Sequence, residues 1–159
     1  MNGFVTHNYR FINYKELNEE DSRLVWKLRN EPGVTQWMVN DSFIPWESHR
    51  RFVESLKTDK DRDYFIIRDV EDRLIGSVNI LRFEEGLVER GIYINPVYWN
   101  KGHAGKSMME FYAYLKTQGI KGIITKVKIN NLASIALEEK LKSRLTDIKE
   151  GYNFYFLEL

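Results

Sequence analysis

The chain has 159 residues, 43% hydrophobic and 30% charged, with 24 basic against 23 acidic side chains. That length supports one domain with a sizeable core, and a formal charge of +1 leaves no strong case for nucleic acid, which demands a basic face. Cysteine is absent, which excludes disulfides, a cysteine nucleophile and thiolate metal sites. His7, His49 and His103 lie far apart without companion ligands, so no metal is expected. The first residues have no basic-then-apolar leader and no run approaches a membrane span, so a soluble cytoplasmic protein is expected.

Tyr9–Tyr14 alternates weakly and predicts a first strand. Asn18, followed three residues on by Asp21, predicts a helix N-cap, and Leu24, Val25 and Leu28 form the apolar stripe that runs up to Pro32. Pro32-Gly33 breaks the chain. Residues 34–46 are aromatic-rich and without period, with Trp37, Met38, Phe43, Pro45 and Trp46 among small polar residues. A second helix is expected from about Ser48 to Lys57, with Phe52, Val53 and Leu56 inward. Tyr64–Arg68, Leu74–Phe83 and Leu87–Ile94 read as strands joined by polar and glycine-bearing turns. Asn95-Pro96 ends the last of these, because proline cannot donate to a ladder. From about Lys101 a helix is expected, since Ala104, Met108, Phe111, Tyr112 and Leu115 recur at helical spacing. Gly119 and Gly122 bracket a return into the strand Ile123–Ile129. Asn130-Asn131 then opens a helix ending near Lys142, and Arg144–Lys149 with Tyr152–Glu158 closes the chain as a hairpin. Early hairpins followed by a β-α-β-α-β run predict an α+β fold in a single domain over residues 1–159, its sheet mixing antiparallel and parallel pairs.

The turn Asn100-Lys-Gly-His-Ala-Gly-Lys106 joins a strand that stops abruptly to a helix start. Such a turn presents free backbone N–H groups and the positive end of a helix dipole, a site for an anionic group such as a phosphate. Lys101 and Lys106 add charge there. Three readings compete. Gly105-Lys106-Ser107 matches the end of a Walker A motif, but asparagine stands at the first glycine position and no magnesium-binding Asp follows a later strand. A glycine turn before an amphipathic helix also serves backbone geometry alone. The third reading is a pyrophosphate loop: strand, turn and helix resemble the central motif of the GNAT superfamily of acetyltransferases. The family pattern Gln/Arg-x-x-Gly-x-Gly/Ala falls on Asn100, His103 and Gly105, and the last of these matches it.

The element order resembles GNAT over essentially the whole chain. It implies three α/β layers, with a mixed, mostly antiparallel sheet of about seven strands flanked by about four helices. A narrower resemblance rests on Leu28-Arg-Asn-Glu-Pro32, Gln36-Trp-Met38, Phe43-Ile44, His49, Phe52 and Tyr64-Phe65. This block is similar to the N-acetyltransferases of the pseudaminic acid pathway, which acetylate the 4-amino group of a UDP-linked amino sugar. Parts of it recur in ribosomal-protein and polyamine acetyltransferases. Arg29 offers a planar fork for phosphate, Asn30 a donor and an acceptor, and Trp37, Phe43 and Trp46 apolar faces for a base or sugar. With Met38, His49 and Asn79 they make the expected substrate side. The alternative is that Arg29 caps its helix and the aromatics pack the helix pair onto the sheet.

The resemblance implies acetyl-coenzyme A as co-substrate, held by Lys101, Gly102, His103, Ala104, Gly105, Lys106 and Asn130. Its arm is expected along the Leu87–Ile94 strand, with a backbone N–H near Tyr93 or Ile94 for the oxyanion. Candidates for amine deprotonation are Glu89, His49, and Ser77 or Asn79 through water. Glu138 occupies the position where the family carries a tyrosine near the thioester sulfur, and Lys142-Ser143 replaces Gly-Phe. A tyrosine can donate a proton at pH 7, whereas Glu138 can do so only if burial raises its pKa. Besides a nucleotide amino-sugar acetyltransferase, a polyamine or protein N-terminal acetyltransferase and a non-catalytic acetyl-coenzyme A-binding module are therefore kept open. The aromatic C-terminal strand, Tyr152 to Leu159, is the expected edge for a homodimer.

Overall fold

Eight strands share one sheet. In the computed structural model, which describes residues 1–159, β1 (Phe4–Val5), β2 (Tyr9–Asn13), β3 (Arg62–Asp69), β4 (Leu74–Arg82), β5 (Leu87–Ile94), β6 (Gly122–Lys128), β7 (Arg144–Lys149) and β8 (Tyr152–Glu158) lie in the order β1-β2-β3-β4-β5-β6-β8-β7. All neighbours are antiparallel except β5 and β6. The helices are α1 (Glu19–Arg29), α2 (Pro32–Thr35), α3 (Trp46–Leu56), α4 (His103–Thr117) and α5 (Leu132–Lys140). The seven strands and four helices expected become eight and five. The additions, β1 of two residues and α2 of four, are too short to leave a periodic signal.

Caps set the helix starts. The Asn18 side chain accepts from the Asp21 N–H at 2.8 Å and opens α1; Asn131 accepts from the Ser134 N–H at 3.1 Å and opens α5. Both satisfy one of the donors that a helix start leaves free. Helix α3 begins at Trp46, two residues before the expected Ser48, because the extended backbone of Pro45 serves as its N-cap.

The sheet is covered on both faces, giving three layers. On one face Phe11, Phe65, Val78, Ile80 and Val88 pack with Met108, Phe111 and Leu115 of α4 and Leu137 of α5. Burying each such side chain contributes about 1.5–3 kcal/mol. On the other face Tyr14, Val25, Leu56 and Ile66 join Phe52, Val53, Tyr64 and Tyr93 under α1 and α3.

Two features of the sheet position the site. First, β5 and β6 pair only at Leu87↔Gly122, Val88↔Ile123 and Glu89↔Ile124. Beyond Glu89, β5 stays paired to β4 as far as Ile94, and β6 to β8 as far as Lys128, so the two parallel strands part into an open gap. Second, β8 lies between β6 and β7. This corrects the expectation that Tyr152–Leu159 is a free edge: the closing hairpin inserts its second strand inward, and the edge is β7, exposed at every residue. No helix is long and apolar enough to cross a membrane.

Candidate active site

The gap opens into a cavity of about 670 Å³. From the α1 and α3 side its wall includes Arg29, Trp37, Met38, Phe43 and His49; from β4 and β5 it includes Asn79, Glu89 and Tyr93. All eight were candidates from the sequence, and the fold brings them together. Alternation along β5 puts Glu89, Gly91 and Tyr93 on the α1 and α3 face. Gly91 lies opposite Asn79, and a Cβ there would come within 2.6 Å of Asn79 Oδ1, so the bare backbone leaves room for the amide.

Arg29 does not cap its helix. Its Nη2 donates to the Asn40 carbonyl at 2.7 Å, and its Nη1 is buried without a hydrogen-bond partner. Asn30, expected to bind substrate, does not line the cavity. Its Oδ1 accepts from the Ile44 N–H at 2.8 Å, and its Nδ2 donates to the carbonyls of Ile44 at 3.0 Å and Trp26 at 3.2 Å. The amide therefore ties the α2–α3 connection to the end of α1. Trp46 also stays out of the cavity and stacks on His49, with ring centres 5.5 Å apart.

His49 is buried and its Nε2 meets Ser22 Oγ at 3.1 Å. Burial is the main cause that pushes its pKa down to about 4, with the Ser22 contact opposing, so the imidazole is neutral at pH 7. Ser77 is buried behind the wall, donating to the Phe65 carbonyl at 2.9 Å and meeting Tyr14 Oη at 2.8 Å. Tyr14 in turn lies 3.3 Å from Tyr93 Oη. Burial raises the pKa of both tyrosines, so this hydroxyl chain is protonated where it reaches the cavity. Ser77 therefore acts on the cavity through these tyrosines.

Glu138 is not placed to meet a thioester in the cavity. It does not line the cavity; it is 0% exposed, with Oε1 accepting from Arg90 Nη2 at 2.5 Å and Oε2 from Ser143 Oγ at 2.8 Å. Both oxygens are taken, which removes the proton donation considered for it. Arg90 also donates through Nε to Tyr112 Oη at 2.8 Å. Burial opposes its charge, but Tyr112 and Glu138 outweigh that and hold its pKa above the ordinary arginine range.

At the open end of the gap, Gly102 takes φ 81° and starts α4 with no side-chain cap. The first hydrogen bond back into the helix is Lys106 N–H to the Gly102 carbonyl at 3.1 Å, which leaves the N–H groups of His103, Ala104 and Gly105 free for an anion. His103 Nδ1 meets Tyr9 Oη at 3.0 Å, and burial lowers its pKa. Lys101 folds back to the Val97 carbonyl at 2.9 Å. Lys140 of α5 lies over Gly105, where a Cβ would come within 3.1 Å of its Nζ. These groups fit a diphosphate at the helix start, with an arm entering between the parted strands. Ile94 lies outside the cavity, as does Asn130; it is the neighbouring cap, Asn131, that lines it. Lys126 and Lys128 also line the cavity. Their alternation with Thr125 and Val127 already assigns them one face of β6.

A helix start open to phosphate thus stands beside parallel strands that part. The model of the acetyltransferase (GNAT) domain family matches residues 12–144. The chain belongs to that family and is an acetyl-coenzyme A-dependent N-acetyltransferase. It is similar to the acetyltransferase PseH of Campylobacter jejuni, with 26% identity over 147 residues that span 91% of this chain and 89% of that protein. The crystal structure of Campylobacter jejuni N-acetyltransferase PseH in complex with acetyl coenzyme A matches with a TM-score of 0.77 and 21% identity over 94% of this chain and 98% of that one. Spermidine N-acetyltransferase from Vibrio cholerae in complex with CoA and spermine matches with a TM-score of 0.83 and 16% identity over 94% and 95%.

Proposed function

We propose that the chain transfers the acetyl group to the amine of a nucleotide-linked amino sugar of the 4-amino-4,6-dideoxy type. The observation that carries this reading is the buried, unpartnered Nη1 of Arg29 at the cavity wall. A guanidinium fork with one arm fixed and one free suits a phosphate oxygen. The charge balance supports it: Lys126 and Lys128 share the cavity with Arg29, while Glu89 is the one carboxylate there. A polyamine would find three cations on its side and little to neutralise it. Trp37, Phe43 and Tyr152 supply faces for a base or sugar ring. The likeness to PseH agrees with N-acetyl transfer from acetyl-coenzyme A.

In this reading Glu89 takes the amine proton, directly or through a water held by Asn79. Those N–H groups of β5 beyond Glu89 that point away from β4 into the gap take the charge that develops on the acetyl oxygen. The helix start at 102–105 holds the diphosphate of acetyl-coenzyme A, which supplies the activated acetyl group. His49, neutral and pinned to Ser22, shapes the wall. Calorimetric titration with UDP in the presence of coenzyme A tests the nucleotide site. Binding by the intact protein that weakens about tenfold or more in Arg29→Ala is expected; no binding, or binding indifferent to Arg29, contradicts the reading.

A further inference from the structure

Arg90 is the first residue of β5 beyond the last β5–β6 pair, so it stands where the gap closes. Its side chain leaves the strand on the α4 and α5 face. There Nε is fixed by Tyr112 and Nη2 by Glu138, which leaves Nη1 without a partner. Arg90 is 4% exposed, yet it lines the cavity. A coenzyme arm held at the α4 helix start and laid down the gap would reach this cation where the gap closes. A neutral thioester gains little from a guanidinium. The group that gains is an anion created there, and in acyl transfer the leaving sulfur becomes one.

Glu138 is not free to protonate that sulfur. Both oxygens of Glu138 are engaged. Tyr112 accepts from Arg90 Nε and does not line the cavity. We propose that Arg90 stabilises the departing thiolate as an anion, with Glu138 and Tyr112 as positioning residues that hold the guanidinium in place. The amine nitrogen bonds to the acetyl carbon, and the carbon–sulfur bond breaks with its electron pair left on sulfur. The surplus amine proton passes to Glu89 or cavity water, and solvent protonates the sulfur after product release. This inference rests on acetyl transfer from coenzyme A and not on the nature of the acceptor, so the two readings fail separately.

The test is an equilibrium one: the thiol of coenzyme A bound to the intact protein is titrated by thiolate ultraviolet absorbance. An ordinary thiol titrates near about 8.5; the bound thiol is expected about one to three pH units lower, the effect of an opposite charge within reach. Groups that face this region are Tyr112 from α4, Glu138 from α5, Glu89 and Tyr93 from β5, and Lys126 and Lys128 from the far face of β6. Arg90→Met alone would strand a buried carboxylate and endanger folding, so the variant is Arg90→Met with Glu138→Leu. In it the midpoint should return to that of free coenzyme A and kcat should fall at least about tenfold, with acetyl-coenzyme A affinity retained. Lys126→Met should leave the midpoint low. An unshifted thiol in the intact protein, a low midpoint that survives the double variant, or one lost in Lys126→Met overturns the proposal.

Discussion

Arg90 and Glu138, 48 positions apart in the chain, form an ion pair whose two side chains are both buried, between the middle of β5 and the body of α5. Removing one partner of such a pair leaves an uncompensated buried charge, at a cost of about 3–5 kcal/mol, whereas replacing both by apolar residues is often neutral. Glu138→Gln should therefore lower Tm by about 10 °C, since a domain of this size loses about 2–4 °C per kcal/mol. Arg90→Met with Glu138→Leu should restore most of it. Thermal denaturation followed by circular dichroism decides, and equal Tm values for the intact protein and Glu138→Gln would contradict the pairing.

Asn30 holds the connection that carries Trp37, Met38 and Phe43 to the cavity. Asn30→Ala leaves the Ile44 N–H unsatisfied, at about 1–3 kcal/mol, and frees that segment. The acceptor's KM should rise several-fold while acetyl-coenzyme A affinity stays constant, because the helix start of α4 is untouched. Steady-state kinetics with each substrate varied in turn checks this split.

His49 makes stability depend on pH in a defined window. Its folded-state pKa is near 4, below the unfolded value of about 6.5. Above pH 6.5 neither state binds the proton. Between pH 6.5 and 4 the unfolded chain binds it and the folded protein does not, so stability falls as pH falls. His49→Gln should flatten Tm against pH in that window. His103, shifted in the same direction, is unchanged in the variant, so part of the slope should persist. Parallel curves for the two proteins would remove His49 as a cause.

At the helix start the backbone is expected to matter more than the exposed charge. Gly102 needs its left-handed φ of 81°, which a β-branched residue adopts only under strain. Gly105→Pro removes one free N–H, and the atoms nearest to an added Cβ there belong to the end of the Lys140 side chain. Calorimetry should find acetyl-coenzyme A binding weakened about tenfold or more by Gly102→Val and by Gly105→Pro. Lys106→Ala should weaken it about threefold or less, since an exposed charge near a helix end contributes little.

Much of this arrangement is legible in the chain. The turns that bound β3 to β6, the stripe of α4 and the cap Asn18 are local signals, as is the strand that ends at Asn95-Pro96 before a glycine turn, the proposed coenzyme site. What escapes is non-local. Nothing in the order of the elements tells that β8 inserts beside β6, so the free edge falls on β7. The Arg90–Glu138 pair joins distant residues, and without it Glu138 reads as a vacated tyrosine position. Asn30 carries the right chemistry for a ligand, but the Ile44 backbone takes it. Asn130 and Asn131 differ only in which one caps the helix, a one-residue distinction that depends on backbone geometry.

The most direct measurement compares acetyl transfer to a UDP-linked 4-amino-4,6-dideoxy sugar, to the same amino sugar without its nucleotide, and to spermidine, with acetyl-coenzyme A saturating. If Arg29 and the cations of β6 hold the nucleotide diphosphate, kcat/KM for the conjugate should exceed that for the free sugar by about 100-fold or more, as expected for two or more charge-assisted contacts. Spermidine should be the poorest acceptor. Equal kcat/KM for the conjugate and the free sugar, or a preference for spermidine, would contradict a site built around a nucleotide-linked substrate.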